Sequence, residues 1–120
     1  MVEKVFIVGE KKYDKTSKEF KVFYEDGSDA VTVGTSATTI YNVPSGKTFY
    51  LRNIIIYNSA TTGNTVTIRD ADTDKFQVSL SAGETKAITD VKGISFISGV
   101  VGVATVASAV VSVGGEVTEV

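Results

Sequence analysis

Residues 43–58, with the sequence VPSGKTFYLRNIIIYN, decide the fold of this chain. The segment contains Pro44-Ser45-Gly46, in which Pro presets φ and Gly supplies a positive φ, so these residues predict a turn. Residues 47–58 are rich in aromatic and β-branched side chains, which suit a strand. The segment therefore predicts a tight turn followed by a long β-strand.

The same residues contain GKT, the last three letters of a phosphate-binding loop. That motif needs a Gly five positions before the Gly of GKT, where this chain has Tyr41. It also needs a helix after the Thr, so that free N–H groups face the phosphates. Because Phe49 instead begins a strand pattern, we predict a hairpin turn here and no nucleotide site.

A period-two alternation of apolar and polar side chains recurs outside this segment. Strands are predicted at 4–8, 19–24, 30–33, 38–43, 47–58, 65–69, 75–80, 85–91 and 94–97, with a Val-rich run at 100–113 that ends at Gly114-Gly115. Turns or loops are predicted at 9–18, 25–28 (an Asp-Gly turn), 44–46, 58–64, 70–74 and 81–84. No segment has the apolar spacing of a capped amphipathic helix. About eight to ten strands at this spacing predict an all-β, antiparallel sandwich or barrel.

The length of 120 residues fits one compact domain. Residues 31–120 are predicted to form the sandwich, and residues 1–30 an N-terminal arm or an added hairpin. Residues 1–21 hold six Lys against four acidic residues, but the net charge of the chain is −2. Because nucleic-acid binding needs a basic face, no nucleic-acid partner is predicted.

The chain contains neither Cys nor His. Their absence removes disulfides, thiolate nucleophiles, Cys/His zinc sites and catalytic triads built on imidazole. We predict no enzyme, no catalytic residue, no cofactor and no metal ligand. A carboxylate-dependent hydrolase stays an alternative, although most acidic residues fall in predicted turns. The N-terminal sequence MVEKVFIVGEKK lacks the layout of a signal peptide.

Asp70, Asp72 and Asp74 have alternate spacing in the segment RDADTDK. Carboxylates at this spacing can converge on Ca²⁺, which prefers oxygen ligands. The helix-loop-helix calcium motif, however, requires Gly and Glu where this chain has Lys75 and Ser81. A solvated turn between two strands explains the same residues, and the choice between turn and surface Ca²⁺ site stays open.

Residues 93–115 form an uncharged run that is long enough to span a membrane. The run contains no Leu and five Gly, with Ser and Thr interspersed. Val-rich runs with small residues suit the inner strands of a sandwich. We therefore predict buried strands and no membrane partner, with a membrane-active segment as the alternative.

The tyrosines raise the question of a sugar-binding face. Tyr50 and Tyr57 have opposite parity, so they point to opposite faces if their strand is regular. The sequence leaves open whether Tyr24, Tyr41 and Tyr57 lie close together on one surface. A carbohydrate- or receptor-binding β-sandwich is therefore the alternative function.

The order of strands and turns from about residue 37 to 113 resembles one family. The segments are VPSGKTFYLRNIIIYN, NTVTIRD, LSAGET, GISFISGV and VVSVGG. They resemble the single jelly-roll domains of structural proteins from bacterial and archaeal viruses. The resemblance implies eight antiparallel strands in two sheets, a homo-oligomer such as a trimer, and capsid proteins of the same virion as partners. It implies a capsid decoration, cement, fibre, spike or building-block role in the virion, with residues 1–30 as an attachment arm and no shared catalytic residues.

Overall fold

The protein is an all-β sandwich in the computed structural model, which describes residues 10–14 and 19–119, with side chains from 23 to 118. The strands are β1 Glu10–Asp14, β2 Glu19–Val33, β3 Thr38–Asn42, β4 Lys47–Asn58, β5 Asn64–Asp70, β6 Thr73–Leu80, β7 Thr85–Ile88, β8 Ser95–Phe96, β9 Gly99–Ala104 and β10 Ala109–Glu119. The described part of the chain contains no helix that is long and apolar enough to cross a membrane.

The strands form two antiparallel sheets with jelly-roll topology. The larger sheet has the order β1-β2-β10-β4-β7, and β8 pairs with β4 beyond the end of β7. The smaller sheet has the order β3-β9-β5-β6. Apart from the hairpins β1-β2 and β5-β6, neighbouring strands come from distant parts of the sequence, as two interleaved Greek keys require. The predicted all-β, two-sheet jelly-roll fold is confirmed.

The core lies between the two sheets and is built mainly from alternate residues of the central strands. From β4 it receives Phe49, Leu51, Ile54 and Ile56, all completely buried. Burial of each such side chain contributes about 1.5–3 kcal/mol. The other buried apolar residues of this core are Val33, Ile40, Tyr41, Val43, Val66, Ile68, Val78, Leu80, Phe96, Val100, Ala104, Ala109, Val111, Val113 and Val117.

A β-bulge at Arg52 reverses the alternation of β4. Gly114 pairs with Asn53 and Gly115 with Leu51, so Arg52 is the extra residue. Odd-numbered residues face the core before the bulge and even-numbered residues after it. Tyr50 and Tyr57 therefore lie on the same outer face, which corrects the expectation for a regular strand.

The Asp-Gly turn predicted at residues 25–28 is wrong, because β2 continues through these residues. Residues 25–28 continue the strand and pair with β10, with Gly27 opposite Gly114. A Cβ on Gly27 would contact the carbonyl oxygen of Val113 and lie 3.1 Å from the Cα of Gly114. Gly27 is thus needed for close approach of two strands. A second bulge lies beyond it, where Ala30 has a φ of 52°.

Three further boundaries differ from the sequence prediction. Gly114-Gly115 lies inside β10, and residues 10–14 form β1 within the segment expected to be a charged loop. The Val-rich run is divided between β9 and β10 by a loop at 105–108. The predicted strand at 4–8 lies outside the described residues. Strand β2 runs across the predicted boundary at residue 30, and the division into an arm and a sandwich stays a prediction.

Candidate functional site

The GKT residues belong to a turn and to the start of a strand. The N–H of Lys47 donates to the carbonyl of Pro44 at 3.0 Å, and Gly46 has a φ of 74°. Thr48, the Thr of GKT, is a buried residue of β4. The segment thus has the geometry expected of a β-turn, and it lacks the helix that a phosphate loop requires.

Asp70 binds backbone N–H groups of the turn between β8 and β9. Its Oδ1 accepts from Ser98 at 2.9 Å and Gly99 at 3.2 Å, and its Oδ2 accepts from Ile97 at 3.0 Å. Burial would raise the pKa of Asp70, but these hydrogen bonds together with nearby Lys75 outweigh burial, so the pKa lies below its ordinary value. Asp70 therefore joins two turns at one end of the sandwich.

The other two aspartates of the predicted calcium segment point elsewhere. Asp74 accepts from Arg69 at 2.8 Å, and Asp72 lies in the exposed two-residue turn between β5 and β6. Among the described residues there is no group of three carboxylate, His or Cys side chains that could hold a metal ion. The structure therefore does not bring Asp70, Asp72 and Asp74 together.

The tyrosines do not form one exposed row. Tyr24 pairs in register with Val117, whereas Tyr57 pairs with Val110 near the other end of β10. Tyr41 is buried against Phe49 with ring centroids 4.5 Å apart, and its hydroxyl donates to Asp26 at 2.7 Å. Burial, followed by this hydrogen bond, raises the pKa of Tyr41 well above its ordinary value. Tyr24, Tyr41 and Tyr57 thus do not converge.

A polar groove lies beside the bulge of β4 on the outer face of the larger sheet. It has a volume of about 430 Å³, and Glu25, Asp26, Asn53 and Glu116 contribute to its lining. Arg52 forms one wall, with Nη2 3.2 Å from Glu116 Oε1. A second groove of about 410 Å³ lies on the other side of Arg52, beside the loop at 89–94.

The side chains around Arg52 are largely engaged with one another. The Arg52 guanidinium lies 5.6 Å from the ring centroid of Tyr50, and Phe23 lies 5.9 Å from the same ring. The Asp26 carboxylate accepts a hydrogen bond from the Tyr41 hydroxyl. A sugar-stacking platform needs an open aromatic face, and Tyr50 does not offer one. The region therefore has the character of a polar cluster that stabilises the bulge.

The opposite end of the sandwich is built from loops of small residues. The loops at 34–37, 59–63, 81–84 and 105–108 read GTSA, SATTG, SAGE and TVAS, so Glu84 is their one charged residue. Backbone hydrogen bonds join them, including Ser59 N–H to the Ser108 carbonyl at 3.2 Å. We call these four segments the loop end.

Two buried asparagines hold the loop end together. Asn58 donates to the carbonyls of Thr62 and Ser81, both at 2.9 Å. Asn64 donates to the Val106 carbonyl at 2.6 Å and accepts from the Val106 N–H at 3.0 Å. Buried amides that are fully hydrogen-bonded fix the geometry of the chain around them. The loop end is therefore a rigid surface.

An uncharged patch on the outer face of the larger sheet adjoins the loop end. Ile55 is 45% exposed and Tyr57 43% exposed, and Val110 pairs in register with Tyr57. Its rim consists of Thr32 on β2 and of Thr85 and Ala87 on β7. We call these six residues the outer patch. Sequence reasoning missed it, because the bulge at Arg52 decides which residues of β4 face outward.

Charged side chains concentrate away from the loop end and the outer patch. Arg69, Asp70, Asp72, Asp74 and Lys75 lie around the turn of β5 and β6, and Glu25, Asp26, Arg52, Asp90, Lys92 and Glu116 lie around the two grooves. Asp29 borders the outer patch, where it accepts from Ser112 at 2.9 Å. Among the described residues, one half of the sandwich surface is thus strongly charged, and the other is sparsely charged, with Asp29, Glu84 and Lys86.

Comparison with known proteins supports the fold. No protein family matches the sequence, and neither does any curated protein. A solved chain from Bacillus endospore appendages, described as a family of disulfide-linked pili, is similar with a TM-score of 0.55 and 12% identity, covering 83% of this chain and 90% of that one. A chain of infectious bursal disease virus, Gx strain, gives a TM-score of 0.33 and 12% identity, covering 94% of this chain and 32% of that one. The first similarity shows a shared fold, and the second is too low to support an argument.

Proposed function

We propose that this chain is a non-enzymatic structural protein of a virion, a jelly-roll module that self-assembles and decorates, cements or builds a capsid. Its partners are copies of itself, in a trimer or larger closed ring, and capsid proteins of the same virion. The observation that supports this best is the distribution of charge. A rigid loop end and an adjoining outer patch, nearly free of charge, are suited to burial against other subunits.

The proposed assembly of this chain does not use disulfide bonds between copies. The structural neighbour is described as disulfide-linked, but this chain contains no Cys. We therefore expect the contacts between copies to come from surface burial and hydrogen bonds. A closed ring also hides edge strands, which otherwise invite uncontrolled pairing.

Light scattering during size exclusion tests the proposal directly. We expect a mass that is a whole-number multiple, such as three times, of the 12.7 kDa chain. A mass of 12.7 kDa at every concentration would contradict self-assembly. A glycan-binding module would bind on a glycan array, but the engaged ring of Tyr50 and the separated tyrosines give that alternative no support.

A further inference from the structure

The outer patch differs from the rest of the described surface in having two large, exposed apolar side chains, Ile55 and Tyr57, next to the half-buried Val110. Among the described residues, the exposed large hydrophobic side chains are Tyr24, Ile55, Tyr57, Ile88 and Ile97. Ile55 and Tyr57 belong to the patch, whereas Ile88 on the edge strand β7 pairs with the core-facing Ile54 and therefore lies on the other face of the sheet. Tyr24 and Ile97 are isolated from it and from each other. Isolated exposed apolar residues are common, whereas a cluster indicates an interaction surface.

The six residues of the patch carry no charge, and Asp29 lies at its border. Cross-strand pairs place Thr32, Val110, Tyr57 and Thr85 in one row across four strands. The next row contains Ser112, Ile55 and Ala87. Since a charged partner surface would be desolvated without compensation, the partner surface must be uncharged as well.

A second copy of this chain offers such a surface in the outer patch itself. No other cluster of large exposed apolar side chains occurs among residues 23–118. We infer that two copies join through their outer patches about a two-fold axis, in an isologous contact centred on Ile55, Tyr57 and Val110. This inference rests on the proposed self-assembly and adds a defined contact to it.

The size of the patch indicates the role of the contact. A stable dimer buries about 800 Å² on each partner, whereas a patch of a few side chains offers a few hundred Å². The contact is therefore weak by itself. Several outer-patch contacts between two rings would hold the rings together firmly, because the binding free energies of the individual contacts combine.

Single-cysteine trapping tests the symmetry, since the chain has no Cys of its own. Near a two-fold axis a residue lies beside its own copy, so at least one of the variants Ile55→Cys, Tyr57→Cys and Val110→Cys should form a disulfide dimer under mild oxidation. Ile97→Cys is the control, and its position is 63% exposed, so its accessibility favours random collision. We expect dimer formation about tenfold faster than in this control, because the contact raises the effective concentration of the thiols.

A second pair of variants separates the contact from collision. Tyr57→Lys is added to whichever of Ile55→Cys and Val110→Cys forms disulfide dimers faster. The added Lys should reduce the rate of dimer formation to that of Ile97→Cys, since two like charges would face each other across the axis. Adding Ile97→Lys instead should leave trapping unchanged. If no patch variant exceeds the Ile97→Cys rate, or if Tyr57→Lys has no effect on trapping, the inference is overturned.

Light scattering of the wild-type chain distinguishes this inference from the proposed function. If the wild-type chain is an oligomer but no patch variant forms disulfide dimers faster than Ile97→Cys, the proposed function stands and the two-fold contact is overturned. Trapping in a chain whose wild-type mass stays at 12.7 kDa would support the contact and contradict the ring. A monomer that shows no trapping would overturn both.

Discussion

Asp70 joins two turns at the charged end of the sandwich through three hydrogen bonds from backbone N–H groups. Such bonds to a carboxylate are stronger than those between neutral groups. An Asn side chain keeps one acceptor oxygen and loses the charge. We expect Asp70→Asn to lower the free energy of unfolding by about 1–2 kcal/mol at neutral pH, measured by urea denaturation.

The effect of Asp70→Asn should depend on pH in one direction. Because the pKa of Asp70 is lowered in the folded state, its contribution is present above the ordinary value of 3.8 and is lost as the pH falls through the folded value. The difference in the free energy of unfolding between wild type and Asp70→Asn should therefore disappear at acidic pH. Asp72→Asn, in the exposed turn, is the control and should change stability by less than about 0.5 kcal/mol. A gap that persists in strong acid would show that the charge of Asp70 is irrelevant.

The glycines explain why some elements could be predicted from the sequence and others not. Pro44-Ser45-Gly46 was predicted correctly because the turn is a local property of those residues. Gly27 was predicted to lie in a turn and Gly115 to lie at the end of a strand, but each allows two strands of the sheet to approach closely. That requirement depends on a strand from a distant part of the chain, which local sequence does not identify.

The bulge of β4 limited prediction of the candidate surface in the same way. The strand propensity of residues 47–58 was visible in the sequence, but the extra residue at Arg52 was not. A shift of one residue exchanges the two faces of a strand. The all-β sandwich was therefore predictable from residue types and periodicity, and its jelly-roll topology from the family resemblance, whereas the outward position of Ile55 and Tyr57 required the pairing of β4 with β10.

Gly115 tests the close approach of β4 and β10. A Cβ at this position would contact the backbone oxygen of Tyr50 and lie 2.8 Å from the ring of Phe49. We expect Gly115→Ala to lower the free energy of unfolding by about 3 kcal/mol through overpacking, measured by denaturant titration. Gly34→Ala is the control, since nothing lies within 4 Å of its Cβ position. Equal effects of the two substitutions would contradict the packing argument.

The described part of the molecule combines a charged half with a sparsely charged half, and these halves predict different responses of assembly to salt. Contacts through the loop end and the outer patch should persist in about 1 M NaCl, because screening acts on charges. Sulfate should strengthen them, since excluded salts favour burial of apolar surface. Contacts through the carboxylates around Arg52, for example with the N-terminal lysines of another copy, would weaken under both conditions.

Sedimentation velocity of the wild-type chain across a salt series measures this difference. We expect the oligomer fraction at a fixed protein concentration to be unchanged or higher in NaCl, and higher again in sulfate. Tyr57→Lys should lower that fraction at every salt concentration, whereas Ile97→Lys should not. Dissociation of the wild-type oligomer by NaCl would place the contacts on the charged half and would contradict assembly through the uncharged surface.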